Sequence, residues 1–318
     1  MPGNGKALAA YGRAAHSGVM TSTVVPDVTA AAERIRQYVR HTPVLRAEVD
    51  GRPLVLKLEH LQRTGSFKLR GALNALLTGE RPEQVVTASG GNHGIGVATA
   101  AAILGLPATV FVPDGVPPSK ARRIEAAGAR LVRAGTRYSD AAAAAREAAQ
   151  APGARYVEAY NDPVVVAGQG TVAAEIVADA PEVDAIAVAV GGGGLAAGVA
   201  LGSGGRLTVA VEPERCSCLH QALAAGHPVD AEVDSVAASA LGATRVGEVP
   251  FEVLSGPGVR SLVVGEAEIL AARDRLWDEF RLAVEPAAAV PFAAWLAGAV
   301  PGEVPCVLLC GANADWTP

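Results

Sequence analysis

Ser66-Phe67-Lys68-Leu69-Arg70-Gly71-Ala72 is the stretch on which the reading of this chain turns. It contains one of only four lysines, Lys6, Lys57, Lys68 and Lys120, in a chain whose other 23 basic residues are arginine. A chain that meets its need for surface charge with arginine has reason to keep a lysine where arginine fails. A buried amine can shed its proton and become a nucleophile, whereas a guanidinium stays charged. Upstream, Leu54-Val55-Leu56-Lys57-Leu58 reads as a strand and Leu61-Gln62-Arg63-Thr64-Gly65 as a turn; downstream, Gly71-Ala72-Leu73-Asn74-Ala75-Leu76-Leu77 opens a helix. Lys68 therefore falls at a strand-to-helix junction, where parallel α/β proteins hold ligands. Taken alone, the plainer reading is a solvated lysine at a helix start, since lysines are rarely buried.

Outward from that junction the chain alternates. Apolar runs at 85–88, 108–112, 130–132 and 155–157 read as strands, and helical stretches follow them up to Leu104, at 119–127 and at 139–150. Such a βαβα rhythm predicts a parallel sheet with helices on its faces. Further β runs lie at 185–190, 207–211, 259–264 and 304–309, with an amphipathic helix at 266–282. Asp27 caps a first helix reaching about Val39, and His41-Thr42-Pro43 closes it. There is no internal repeat and no low-complexity linker. The expected fold class is α/β with two lobes, each a mostly parallel sheet flanked by helices. Residues 23–80 and 165–318 would form the large lobe and 81–164 the small one, with the ligand in the cleft between them. Residues 1–22 are small and polar and are expected to be disordered; Met1 and Met20 are both candidate starts.

Composition excludes several classes. A length of 318 residues with a hydrophobic fraction of 50% fits a well-filled globular interior. A net charge of -5 without a basic run argues against nucleic acid. No apolar run approaches the roughly 20 residues a membrane span needs, and the N-terminal segment lacks the apolar core of a secretory signal. Cys216, Cys218, Cys306 and Cys310 do not follow structural zinc spacing and read as reduced, buried thiols of a cytoplasmic protein.

Two glycine-rich turns carry further chemistry. Gly191-Gly192-Gly193-Gly194-Leu195 directly follows the strand at 185–190 and precedes an alanine-rich helix. Without side chains, successive N–H groups converge on an oxyanion, and the helix adds the positive end of its dipole. On this loop alone dinucleotide binding stays open, because Glu212 lies near the offset of a ribose-binding acid. Ser89-Gly90-Gly91-Asn92-His93-Gly94 fills another strand-to-helix turn, where N–H groups and the Ser89 hydroxyl suit a carboxylate and Asn92 suits a phenolic oxygen.

Ser-Phe-Lys-x-Arg-Gly-Ala after Leu-Gln-Arg-Thr-Gly, together with these two loops, resembles the serine/threonine dehydratases, which are fold type II pyridoxal-phosphate enzymes. The resemblance continues through Ala167-Gly168-Gln169-Gly170-Thr171, Ser235-Val236-Ala237, Leu241-Gly242 and Val284-Glu285-Pro286, and spans about Val39 to Asn313. It implies that Lys68 carries pyridoxal phosphate as a Schiff base, that Phe67 packs on its ring and that Ala237 or Ala238 covers the other face. It further implies that Gly191, Gly192, Gly193, Gly194 and Leu195 hold the phosphate and that Asn92 meets the phenolic oxygen. Ser89, Gly90, Gly91, Asn92 and His93 would hold the substrate carboxylate, with no catalytic role for His93. Cys310 takes the place that meets the pyridine nitrogen. A neutral thiol there makes the ring a weaker electron sink, which favours prompt loss of a β leaving group. Glu212-Pro213 resembles the start of a cation site that adds the Cys216 carbonyl and the residue at 218. Glu212 is thus a candidate ligand for a monovalent or divalent cation, and Cys218, a poor partner for a hard cation, argues against it.

The activity implied is β-elimination from L-serine or L-threonine, giving ammonia and pyruvate or 2-oxobutanoate, with Lys68 as general base. A racemase, a β-replacement synthase and a non-catalytic amino-acid-binding module are the alternatives. Relatives that racemise serine carry a serine where this chain has Gly90, and a binding module would have no reason to keep Lys68. The family also implies a homodimer, and the short segment after Asn313 leaves isoleucine feedback unexpected.

Overall fold

A computed structural model describes residues 27–314. The tail at 1–22 and both candidate starts lie outside the described residues. The chain begins with helix α1 (Val28–Ile35), whose Ala30 N–H is capped by the Asp27 carboxylate at 2.9 Å. That helix stops four residues earlier than the sequence predicts. The hairpin β1 (Val44–Val49) and β2 (Arg52–Lys57) follows, then α2 (Lys68–Leu77). A parallel series comes next: β3 (Gln84–Ala88), α3 (Asn92–Ile103), β4 (Ala108–Val112), α4 (Pro118–Ala126), β5 (Arg130–Arg133), α5 (Tyr138–Ala148) and β6 (Ala154–Tyr156). The chain then runs through α6 (Pro163–Asp179), β7 (Ala185–Ala189), α7 (Gly194–Gly202), β8 (Leu207–Pro213), α8 (Cys218–Ala225), α9 (Ala238–Leu241) and α10 (Glu248–Leu254). It closes with β9 (Val259–Val264), α11 (Glu266–Phe280), α12 (Pro286–Leu296) and β10 (Pro305–Leu308).

Two sheets result. One has six strands in the order β1-β2-β10-β7-β8-β9, parallel except for the β1–β2 hairpin. The other has four, β5-β4-β3-β6, all parallel. Every strand of the central series ends at one edge of its sheet, so the loops after β2, β3, β7 and β10 can share a cleft.

Helix α12 is apolar on every side because it is covered on every side, and α6 is covered through its first half while its last turns come to the surface at Ala178. α6 packs against α2 and α7, with Gly168 opposite Gly71 and Gly170 opposite Gly198; a methyl group on Gly168 would come within 2.7 Å of the Gly71 Cα. One apolar cluster joins Ile35 and Leu69 with Val97, Ala101 and Ile124, so α1 and α2 share a core with the helices of the four-stranded sheet. The interior also holds ionic groups. Arg70, 1% exposed, meets Glu59 through two nitrogens at 2.7 and 2.9 Å and Glu175 at 2.7 and 3.0 Å. Lys57, also buried, donates to Glu175 at 2.6 Å and to the Thr42 carbonyl at 2.6 Å. Each charge is paired and hydrogen-bonded, the condition under which burial is tolerated. Together they tie α2 to β2, to the turn at 59–61 and to α6. Among the described residues no helix is long and apolar enough to cross a membrane.

Candidate active site

The lysine segment is stitched to the end of β10. His60 N–H donates to the Leu309 carbonyl at 2.7 Å, Phe67 N–H to the Cys310 carbonyl at 3.1 Å and Ala312 N–H to the Gly65 carbonyl at 2.9 Å. Helix α2 therefore starts at Lys68 itself, three residues before the glycine expected to open it. α3 crosses this first turn at Gly96, where a side chain would stand only 3.0 Å from Lys68 Cβ. The amine reaches across to the Ala159 carbonyl at 2.7 Å and lies 5.1 Å from the centre of the Phe67 ring. Burial pulls its pKa down from 10.5 to about 8, against a smaller upward pull from Cys310. This amine is poised to exchange its proton near physiological pH.

Lys68 and Phe67 open onto a pocket of about 480 Å³, solvent mouth included, that also takes in Gly191, Gly192, Gly193 and Gly194. Gly193 sits at φ +93° just ahead of α7, a left-handed conformation that glycine adopts at no steric cost. A Cβ there would press on Pro250 at 2.7 Å, and one on Gly192 would enter the Tyr160 ring. The bare backbone thus forms a concave turn capped by the N-terminal end of a nine-residue helix. Leu195 lines the same pocket.

Asn92, the first residue of α3, also faces this space. Its Nδ2 donates to Glu285 Oε1 at 2.8 Å and its Oδ1 accepts from Asn313 Nδ2 at 2.9 Å. Cys310 and Glu285 line the wall beside it. Burial, with Glu285 as a neighbour, drives the Cys310 thiol far up, so it stays protonated. Glu285 is itself pushed up to about 7 by burial, which outweighs the hydrogen bond from Asn92.

The other residues singled out from sequence stand in different places. Ala237 is buried outside this lining, and Ala240 and Leu241, one turn further on, form the wall instead. Ala237 is the residue ahead of the short helix α9, to which Ala240 and Leu241 belong. Ser89, Gly90 and Gly91 form the turn ahead of α3 and His93 its first turn, outside the lining that Asn92 belongs to. Ser89 Oγ accepts the Gly91 N–H at 3.1 Å, so that amide is already engaged. His93 points under the sheet, its Nε2 2.9 Å from Thr87 Oγ1 and 3.1 Å from the Val157 carbonyl. Burial first, and then the nearby Lys68 charge, depress its pKa to about 3, so it is neutral. Glu212 caps α8: its two oxygens accept from Leu219 and His220 N–H at 2.8 and 2.7 Å. The Cys218 thiol donates to the Gly191 carbonyl at 3.3 Å and the Cys216 thiol to the Leu241 carbonyl at 3.1 Å. Among the described residues no group of three or more His, Cys, Asp or Glu converges as a metal centre would require.

Sequence reasoning passed over Tyr160, Ala240, Asn313 and the part played by Glu285. Only Glu285 had a visible signal, an acid between two apolar segments that ends up 4% exposed.

A half-buried lysine of lowered pKa that shares its pocket with a bare glycine cradle is the arrangement expected of enzymes that carry a phosphorylated aldehyde on a lysine. Residues 35–311 match the family described as pyridoxal-phosphate dependent enzyme, and the chain belongs to that family. It is 38% identical over 301 residues to an L-threonine ammonia-lyase of Geobacter sulfurreducens, covering 90% of this chain and 74% of that one. It is 36% identical to a serine racemase of Bos taurus, covering 92% and 93% of the two chains. A solved structure of a threonine deaminase from T.th. superposes with a TM-score of 0.86 at 35% identity, covering 92% of this chain and 99% of that one.

The residues present fit the cofactor. The cradle is a turn that leaves no room for a side chain, since a Cβ on Gly192 would meet the Tyr160 ring and one on Gly193 would meet Pro250; the amine that would bind the aldehyde carbon opens onto the same pocket, and Phe67 lines its wall.

Proposed function

We propose that this protein catalyses β-elimination from L-serine, L-threonine or both, giving ammonia and pyruvate or 2-oxobutanoate. The observation that carries the reading is the Lys68 amine, brought down to about 8 by burial in the pocket that also presents the glycine cradle and a neutral Cys310. When bound, pyridoxal phosphate would supply an electron-withdrawing ring that weakens the bonds at the Cα of the substrate.

The chain's own residues would do the rest. The backbone of Gly191 to Gly194 and the start of α7 hold the phosphate. Phe67 and the Ala240–Leu241 wall enclose the ring and exclude water. The turn before α3, beside the pocket, is the place for the substrate carboxylate, with the Gly91 N–H already engaged by Ser89 Oγ. Once freed, Lys68 takes the Cα proton; a base of pKa near 8 is half neutral at that pH, whereas an ordinary lysine is almost wholly protonated. The β-hydroxyl departs as water with one added proton, and a water molecule later replaces nitrogen, releasing ammonia. A protonated thiol at Cys310 leaves the ring nitrogen without a charged partner, which favours expulsion of the β group over return of the proton.

The relatives include racemases, yet this chain supports elimination better. Gly90 offers no acid, and a side chain there would run into Val116 Cγ2 at 2.8 Å. The four free cysteines are all buried, in keeping with a reducing, cytoplasmic setting, and a homodimer and lobes at 81–164 and at 23–80 with 165–318 complete the reading. Purified protein reconstituted with cofactor should release keto acid from L-serine or L-threonine at the same rate with and without sulfide, with little D-serine. No keto acid, or consumption of serine only when sulfide is added, would overturn the proposal.

A further inference from the structure

A chain of hydrogen bonds runs from Thr64 through Asn313 and Asn92 to Glu285 in the pocket wall, and its first member fixes the direction of all the rest. Thr64 contributes a backbone carbonyl, which can only accept, and Asn313 turns its Nδ2 to it at 2.7 Å. The same nitrogen donates to Asn92 at 2.9 Å, so the Asn92 atom facing Asn313 is the amide oxygen. That leaves the Asn92 nitrogen on the side of Glu285, whose Oε1 accepts from it at 2.8 Å. A carboxamide nitrogen carries two hydrogens, and Glu285 takes one of them. Asn92 lines the same pocket as Lys68 and Cys310, so the other is available to a ligand there.

The two flanking groups are themselves held. Glu285 N–H donates to the Gly311 carbonyl at 3.1 Å, and a side chain on Gly311 would collide with Glu285 Oε1. Arg123, from α4, donates to the Asn313 carbonyl at 2.9 Å. A free carboxamide has nearly the same shape when its oxygen and nitrogen exchange places. In the exchanged state Asn92 would turn lone pairs, not a hydrogen, toward the ring.

Resting on the proposed function, we propose that Glu285 and Asn313 are positioning residues. They lock the Asn92 carboxamide with its nitrogen available to the pocket, which makes Asn92 a hydrogen-bond donor to the anionic ring oxygen of pyridoxal phosphate. Neither residue need touch the reacting atoms.

The test compares wild type, Asn313→Asp, Glu285→Ala and Glu285→Gln, each stripped of cofactor and titrated with pyridoxal 5'-phosphate. Both affinity and the absorption spectrum of the bound cofactor are read. A carboxylate at 313 cannot donate to Thr64 or Asn92 and draws the Asn92 N–H to itself, reversing the chain. Loss of a charge-assisted donor should weaken binding about 10- to 100-fold and shift absorption from the yellow band to the near-ultraviolet band of the neutral ring oxygen. Glu285→Ala removes the acceptor and should weaken binding about tenfold. Glu285→Gln keeps an acceptor oxygen and should bind within about twofold of wild type. Thermal melting of the apoproteins checks folding, and if Asn313→Asp does not fold, the two Glu285 variants decide alone. Wild-type affinity and spectrum in Glu285→Ala, or a Glu285→Gln as damaged as Glu285→Ala, would overturn the inference while leaving the proposed function standing. A wild type that takes up no cofactor would overturn both.

Discussion

Without its cofactor, the protein should become more stable when Lys68 is replaced by methionine. Burial lowers the amine's pKa from 10.5 to about 8. At about 1.36 kcal/mol per unit, keeping the amine protonated inside the fold costs on the order of 3 kcal/mol. Part of that is recovered, because the side chain is open to the cleft and donates to the Ala159 carbonyl at 2.7 Å. We therefore expect Lys68→Met to gain about 1 to 2 kcal/mol at pH 7. The gain should depend on pH in a definite direction. Between the folded value of about 8 and the unfolded value of 10.5, the unfolded wild-type chain binds more protons than the folded one, so wild-type stability rises with pH across that interval. Below about 8 both states are charged and the whole penalty is present. The advantage of the methionine variant is thus largest below pH 8 and shrinks toward pH 10, where both proteins carry the same other groups. Urea unfolding of the two apoproteins at pH 7, 8.5 and 10 measures it. A variant no more stable than wild type at pH 7, or an advantage that does not change with pH, would refute the argument that this amine is held against its solvation.

Other expectations follow from the pocket walls. Gly193→Ala places a Cβ at φ +93° and 2.7 Å from Pro250, a strain of about 1 to 2 kcal/mol before any effect on phosphate, so cofactor content after purification should fall severalfold. Gly90→Ser combined with Val116→Ala should raise the D-serine share of turnover above the few per cent that a branching barrier about 2 kcal/mol higher allows, whereas Gly90→Ser alone must first displace Val116. Chiral analysis of the products decides between them. Cys310→Asp puts a carboxylate where a protonated thiol stands and should slow keto-acid release while leaving cofactor trapped on Lys68; unchanged turnover would mean that this position does not govern the ring nitrogen.

What could be read from sequence followed local periodicity and chemistry. The strands β3, β4, β7 and β9 are short apolar runs bounded by turns, and Lys68 and the tetraglycine announce themselves by residue type. What could not be read was settled by packing. α6 and α12, buried over most of their surface, show no amphipathic period, and Val164, Val165 and Val166 in the first look like strand residues until their neighbours are known. The four-residue helix α9 illustrates a different limit, for it is too short to show a period, and its Ala240 and Leu241 line the pocket. The hydrogen-bond chain through Thr64, Asn313, Asn92 and Glu285 joins four distant parts of the sequence. No local pattern encodes it.

Every role proposed for the pocket depends on Lys68 as the residue that would carry the cofactor. Borohydride reduction of the reconstituted protein, followed by peptide mass spectrometry, tests it most directly. One pyridoxyl phosphate adduct per chain is expected, on Lys68, and none on Lys57, whose amine is committed to Glu175 and Thr42. An adduct on another lysine, or none in a protein that still eliminates water from serine, would contradict it.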